Sequence, residues 1–313
     1  MGRERRMKND GKNGRTGYLL VLAAGILWGF IGLFVKQLES RGSTPETTAF
    51  LRMGFAFLLF LPFCAAEGGT RSLRIGWRDL LFCAVQGLVC YGLFNMLYSR
   101  AVTLTGVSVG AVLLYTAPVF TLVFSALLFR EPFTPRKLIA VALNILGCAL
   151  TATGGRLDPG SLSVPGILAG IGAGFCYSLT PIFGRFGAKR MESRVMTLYG
   201  FFFAALFLLL RLRPWRGGTP MGGGILLWGL LFGLIPTVCA YFLYYRGLVG
   251  IPEPSRVPVI ASVETVVAAA VGMALYHDRL GFWGILGVLL VLLSIGVMNL
   301  PGRKLKKNEK EEK

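Results

Sequence analysis

APVFTLVFSALLFREPFT, residues 117–134, lies over ETVVAAAVGMALYHDRLG, residues 264–281, at an offset of 147. The alignment sets Pro118 against Thr265 and Glu131 against Asp278, with the same spacing of 13 residues in each copy. Two shorter matches lie upstream: LYSRAV (97–102) over YYRGLV (244–249) at the same offset, and AGILWG (24–29) over AGFCYS (173–178) at 149, so short insertions separate the matches. A chain that repeats itself at half its length is read as two copies of one unit.

Both copies are apolar. Of 313 residues 54% are hydrophobic and 15% charged, and the mean hydropathy is +0.63, more than a soluble core of this length requires. Runs long enough to cross about 30 Å of hydrocarbon fall at 17–35, 47–63, 79–98, 106–129, 137–154, 162–183, 195–212, 224–245, 256–276 and 281–300. The expected fold is an all-α integral membrane protein of ten spans in two five-span repeats, 17–154 and 162–300, between a basic tail at 1–16 and another at 301–313. Five spans is an odd number, so the second copy enters the membrane with opposite polarity. Such inverted repeats underlie alternating access, with a solute site near the midplane.

The formal net charge is +18, but the basic residues form short clusters between apolar runs, which argues against a nucleic-acid surface. Lys and Arg number 24 on the side of the two tails and 8 on the other, which places both termini in the cytoplasm and the chain in a plasma (inner) membrane. Loop 7/8, with Arg211, Arg213 and Arg216, is the local exception. The tail PGRKLKKNEKEEK is read as a stop signal in contact with anionic lipid at the cytoplasmic face. The apolar stretch after Arg15 is too long for a signal-peptide core and is kept as span 1.

The six cysteines all lie within apolar runs without C-x-x-C spacing, so neither a disulfide framework nor a metal site is expected. No nucleotide or cofactor fingerprint is present. The 42 glycines, several in G-x-x-x-G spacings such as Gly25/Gly29, are helix-packing signals. A homodimer is left open.

The chain resembles the EamA-like family of the drug/metabolite transporter superfamily, over about residues 17–300. The resemblance is carried by Trp28 and Gly29, Lys36, Arg52, APVFTLVFSALLFREPFT, Tyr177 and Ser178, and SVETVVAAAVGMALYHDRL (262–280). In that family the last stretch often has Glu-Pro followed by a later Glu; here Glu264 is kept, Thr265 replaces the proline and Asp278 replaces the second Glu. The resemblance implies secondary transport of small organic solutes, often amino acids or other metabolites and often outward, without ATP or another cofactor. An importer of sugar or nucleoside type is the alternative within transport.

Glu264 leads the candidate residues. It lies about 12 Å into span 9 at 1.5 Å per residue, and an ionised carboxylate there costs about 2.5–3.5 kcal/mol. Two readings stand: a site for a proton or a cationic group, or a lock between helices. Arg52 and Lys36 are read as gating or structural charges, Arg52 being close enough to the outer end of span 2 to snorkel. Trp28, Tyr91, Tyr115, Tyr177 and Tyr241 suit a cavity wall as well as ordinary packing, and Asn95 and Asn144 either bind solute or tie helices together. Pro118 is expected to bend span 4, and span 9, with Thr265 in its place, to be the straighter of the two. GVSVG (106–110) matches G-x-S-x-G, but the strand-to-helix elbow that motif needs is absent, so an enzyme is not expected. His277 is read as an interfacial turn residue.

Overall fold

Apolar runs in lipid must satisfy every backbone polar group internally, and helices do so within one segment. The computed structural model describes residues 2–156, 163–213 and 221–300, and among these no strand occurs. The tail at 301–313 with its lipid contact, and Arg216 of loop 7/8, lie outside the described residues. Nine helices among the described residues are long and apolar enough to cross a membrane. One of them, Trp77–Phe129, has 53 residues, about twice what one crossing takes, and leaves helical geometry at Gly106 (φ 82, ψ 163). Its length is that of two passes, and the described residues so give ten: α1 Arg15–Glu39, α2 Pro45–Gly69, α3 77–105, α4 107–129, α5 Pro135–Thr153, α6 Val164–Gly187, α7 Ser193–Arg211, α8 Gly223–Gly250, α9 Pro254–Tyr276 and α10 Phe282–Asn299.

Sequence sets the starts of several helices. Thr44, Thr134 and Ser163 each accept a hydrogen bond from a backbone N–H three residues on, at 3.2, 3.4 and 3.2 Å. A proline follows each within two residues, where its missing donor is not needed.

The packing is the repeat made visible. α1 packs on α8 and α9, and α6 packs on α3 and α4; α2 packs on α8, and α7 on α3; α5 pairs with α10 and α2 with α7. Exchanging each helix for its counterpart five places away leaves this pattern unchanged, as two inverted repeats related by a pseudo-two-fold require. Local irregularities recur at the same offset of 147. π-helical turns occupy Gly87–Leu93 and begin again at Leu234. Arg130 and His277 both end their helices in the left-handed region, at φ 55 and 56. Glu131 and Asp278 then return their N–H groups to Ser125 and Gly272.

The expectation of a straighter α9 is corrected by this symmetry. α4 is interrupted at Tyr115 and Thr116, before Pro118, and α9 at Ser262, where no proline follows. In both breaks a hydroxyl donates to the carbonyl three residues back: Thr116 to Leu113 O at 2.7 Å and Ser262 to Val259 O at 2.7 Å. Asn144 of α5 donates to the Ser262 hydroxyl at 2.5 Å and to that of Ser294 in α10 at 3.1 Å, so its amide ties three helices at the break. Side-chain hydrogen bonds replace what proline does in the first copy.

Gly25 and Gly29 bring α1 onto the break in α9. A Cβ at Gly29 would fall 2.6 Å from Val267 Cγ1 and 2.9 Å from the Glu264 carbonyl oxygen; one at Gly25 would fall 2.7 Å from the Ala261 oxygen. Gly29→Ala is therefore expected to lower stability by about 1–3 kcal/mol, read as a reduced thermal midpoint in detergent. Gly32→Ala, where a Cβ meets nothing within 4 Å, should not; equal behaviour of the two variants would remove the close-packing account.

Candidate functional site

The break in α9 exposes the start of a half-helix, Val263–Tyr276, and Glu264 sits in its first turn. There the unsatisfied N–H groups and the helix dipole favour a negative charge. Glu264 is partly accessible, and among the described residues it has neither an ion pair nor a hydrogen bond. Around it, within electrostatic reach, stand Arg52 of α2, Tyr98 of α3, Tyr115 of α4, Tyr177 of α6, and Tyr241 and Tyr244 of α8. Helices of both repeats thus close on one carboxylate.

Tyr115 is held in place, its hydroxyl accepting from Thr265 at 2.5 Å, while Cys148 of α5 meets the same threonine at 3.6 Å. The hydroxyls of Tyr98, Tyr177, Tyr241 and Tyr244 have no partner among the described residues, yet none is sealed off. Trp28 packs edge-on against Tyr177 and Tyr241 with centroids at 6.4 and 5.2 Å, and tilted against Tyr244 at 5.1 Å. Its indole N–H is buried without an acceptor, a rare condition for a native donor. Glu264 is thus the one carboxylate among several hydroxyl and N–H groups that have no partner among the described residues.

Arg52 is buried, 7% exposed. Its Nε donates to Thr237 at 3.0 Å, and its guanidinium lies over the Phe232 ring at 5.1 Å. Thr237 belongs to the π-helical turn of α8 and returns its own hydrogen to Phe232 O at 2.9 Å. Arg52 and Glu264 feel each other's charge but are not in contact.

The remaining candidates fall elsewhere. Tyr91 supports the chamber from behind: its ring meets Tyr241 at 5.0 Å, but its hydroxyl is shared with Tyr245 at 2.6 Å, to which Gln86 also donates at 2.8 Å. Asn95 donates to Tyr91 O at 2.7 Å and lines a separate groove of about 400 Å³ with Glu46, Ser99 and Arg100. Lys36 is exposed and sits 3.7 Å above the Tyr276 ring, joining the far ends of α1 and α9. Ser108 of GVSVG is exposed and makes no hydrogen bond with His277 among the described residues.

At the end of the bundle where α1 begins, a buried ionic cluster joins the repeats. Lys137, 2% exposed, pairs with Glu131 at 3.0 Å and with Glu253 at 3.6 Å. Ser255 donates to Glu131 at 2.5 Å, Arg256 to Glu253 at 2.5 Å and to the Tyr18 hydroxyl at 3.2 Å. At the offset of 147 the counterparts of Glu131, Lys137, Glu253, Ser255 and Arg256 are Asp278, Gly284, Gly106, Ser108 and Val109. Only one of the four charges is kept at the opposite end, and among the described residues Asp278 has no ion pair. One end is latched by charge, and among the described residues the other has no ion pair.

Sequence reasoning missed Tyr98 and Tyr244, although both stand in the matched hexapeptides LYSRAV and YYRGLV, where Tyr98 lies over Tyr245 and Leu97 over Tyr244. It also missed Lys137 as a buried residue, for which a lone loop charge offers no signal.

The comparisons agree with this architecture. The model described as "EamA-like transporter family" matches twice, at residues 15–153 and 164–300. An "Uncharacterized transporter" of Archaeoglobus fulgidus is 28% identical over 291 residues, covering 90% of this chain and 95% of its own. "Uncharacterized transporter YwfM" of Bacillus subtilis is 30% identical over 309 residues, covering 93% and 96%. A solved structure titled "Crystal structure of protein" superposes with a TM-score of 0.77 at 19% identity, covering 93% of this chain and 99% of that one.

Proposed function

Because the chain belongs to the EamA-like transporter family, we propose that it is a secondary active transporter that exports small organic solutes, amino acids or related metabolites, by alternating access coupled to protons. The observation that supports this best is Glu264, a mid-span carboxylate with no protein partner, at the meeting point of helices from both repeats. A charge held there serves a lock poorly, because a lock needs a partner. It serves a carrier well: the carboxylate is neutralised in turn by a proton and by a cationic group of the solute.

In this reading the two repeats, 17–154 and 162–300, rock about the chamber. The charge bias argues for a latched end on the cytoplasmic side of an inner membrane. The basic tails rest on anionic lipid there. Opening inward separates Lys137 from Glu253 and Glu131 from Ser255, while the far end opens against the weaker Lys36–Tyr276 contact. The solute crosses unchanged, and the chamber residues bind it without transforming it.

Proteoliposomes loaded with a panel of amino acids, sugars and nucleosides, with and without an imposed pH gradient, test the proposal. Efflux of amino-acid solutes that falls when a protonophore collapses the gradient is expected. Efflux indifferent to the gradient would remove the proton-coupled form, and movement of sugars or nucleosides alone would favour the importer-type alternative.

A further inference from the structure

We propose that Tyr245 is the gate of the latched end: it shuts a vestibule off from the aromatic cluster of Trp28, and its tie to Gln86 and Tyr91 sets the side to which the resting carrier opens. The inference rests on the carrier reading above and adds to it a gating residue and the conformation that residue favours. At the latched end α2, α7 and α8 enclose a groove of about 410 Å³, walled by Glu67, Arg194, Thr197, Phe242 and Arg246. Tyr245 belongs to its lining yet is only 1% exposed, so its ring forms the floor. Behind that floor stands Tyr241, with ring centroids 6.1 Å apart, and then Trp28, 5.2 Å from Tyr241.

The tie crosses between the repeats. The Tyr245 hydroxyl, on α8, shares a hydrogen bond with that of Tyr91 at 2.6 Å and accepts from the Gln86 amide at 2.8 Å, both on α3. Gln86 also donates to Tyr91 at 3.3 Å. Five residues apart, these two would point to different faces of an α-helix; the π-helical turn Gly87–Leu93 brings them side by side. Gln86 is fully buried, and its Oε1 has no donor among the described residues. A buried network that leaves an acceptor unmade is easier to separate than a satisfied one, which suits a contact that opens in every cycle. The other repeat lacks the tie. At the offset of 147, Tyr98 stands where Tyr245 does, but Gly233 and Val238 replace Gln86 and Tyr91. Tyr98 is partly accessible and its hydroxyl has no partner among the described residues; it lies between Asn95 and Ser99, which line the far-end groove. Glu67 to Arg194 at 2.9 Å and Asp79 to Arg190 at 2.8 Å add two more bridges between the repeats at the latched end. The chain is therefore weighted toward a state shut at the latched end and open at the far end.

Hydrogen–deuterium exchange on the full chain in detergent, followed by mass spectrometry, tests the gate without a solute. Tyr245→Phe keeps the ring and removes the hydroxyl. Exchange should rise roughly tenfold at 87–93 and 240–257, as expected on losing one or two buried hydrogen bonds, and should fall at 41–50 and 99–106, because opening one end closes the other. Tyr91→Phe, which removes the partner hydroxyl, should reproduce this pattern, and Tyr98→Phe should leave both ends as in the wild type. Unchanged exchange in Tyr245→Phe, a rise with no fall at the far end, or the same pattern from Tyr98→Phe would overturn the proposal; a rise alone marks Tyr245 as merely structural. In right-side-out and inverted membrane vesicles given labelled amino acids, Tyr245→Phe should lower KM at the latched side and raise it at the other. Shifts of one sign at both sides would also overturn the proposal. Wild-type uptake no greater than that of vesicles lacking the protein would instead sink the carrier reading, and the exchange pattern would still decide the gate.

Discussion

Lys137→Ala should lower the thermal unfolding midpoint in detergent by several degrees. Lys137 is almost wholly buried and holds two carboxylates, Glu131 and Glu253, at the latched end of the bundle. Glu131 already has one oxygen without a partner, so removal of the ammonium leaves it with only the Ser255 hydroxyl. Stranding a buried charge in this way costs about 3–5 kcal/mol. The double variant Lys137→Ala with Glu131→Gln should recover much of the loss, because the stranded charge is gone, and the two sites are in contact and so not additive. Arg279→Ala, an exposed charge at the unlatched end, should leave the midpoint unchanged. A Lys137→Ala protein as stable as the wild type would mean that the cluster does not hold the repeats together.

Glu264→Gln should have the opposite signature. Glutamine keeps the volume and the hydrogen-bonding capacity of the side chain and removes the charge. Because Glu264 has no partner to strand and its charge is held in an apolar bundle, stability should be unchanged or slightly raised. Transport should fall by a factor on the order of 10², as expected when a charge-assisted contact made to the solute is lost. Glu264→Asp, which keeps the charge on a shorter stem, should fall between the two. Loss of function without loss of stability separates a binding group from a structural one, and the contrast with Lys137 makes the separation internal to one molecule.

The fold was legible because the repeat is long and the spans are strongly apolar. An offset of 147 read from APVFTLVFSALLFREPFT carried over to the π-helical turns, the left-handed helix ends and the breaks of α4 and α9. The boundary between spans 3 and 4 was legible from SRAVTLT (99–105), but the helix runs through that segment and turns only at Gly106, with its positive φ. The break in α9 was misjudged for a physical reason. Proline is a visible helix breaker, whereas Ser262 breaks its helix through bonds to Val259 and from Asn144 that exist only once α5 and α9 are packed.

The site was legible in part. A carboxylate in a membrane span is conspicuous by its transfer cost, and Glu264 stood out on that ground. Trp28, Tyr115, Tyr177 and Tyr241 were recognisable as aromatic positions and do gather around it, whereas Tyr91 and Asn95 face other partners. The depth of Arg52 was underestimated, because distance along a helix says nothing about whether the Phe232 ring and Thr237 hydroxyl stand ready to hold a guanidinium away from the interface. The ionic latch was invisible, since Lys137 and Glu253 are remote in sequence and each looks like an ordinary loop charge.

The central claim is that Glu264 is the exchangeable charge of a carrier whose two repeats meet around it. Counterflow tests it most directly: labelled solute outside proteoliposomes loaded with an excess of the same unlabelled solute, wild type and Glu264→Gln measured side by side. Transient accumulation of label by the wild type and its absence in the folded variant is the predicted result; equal accumulation by both would contradict the account.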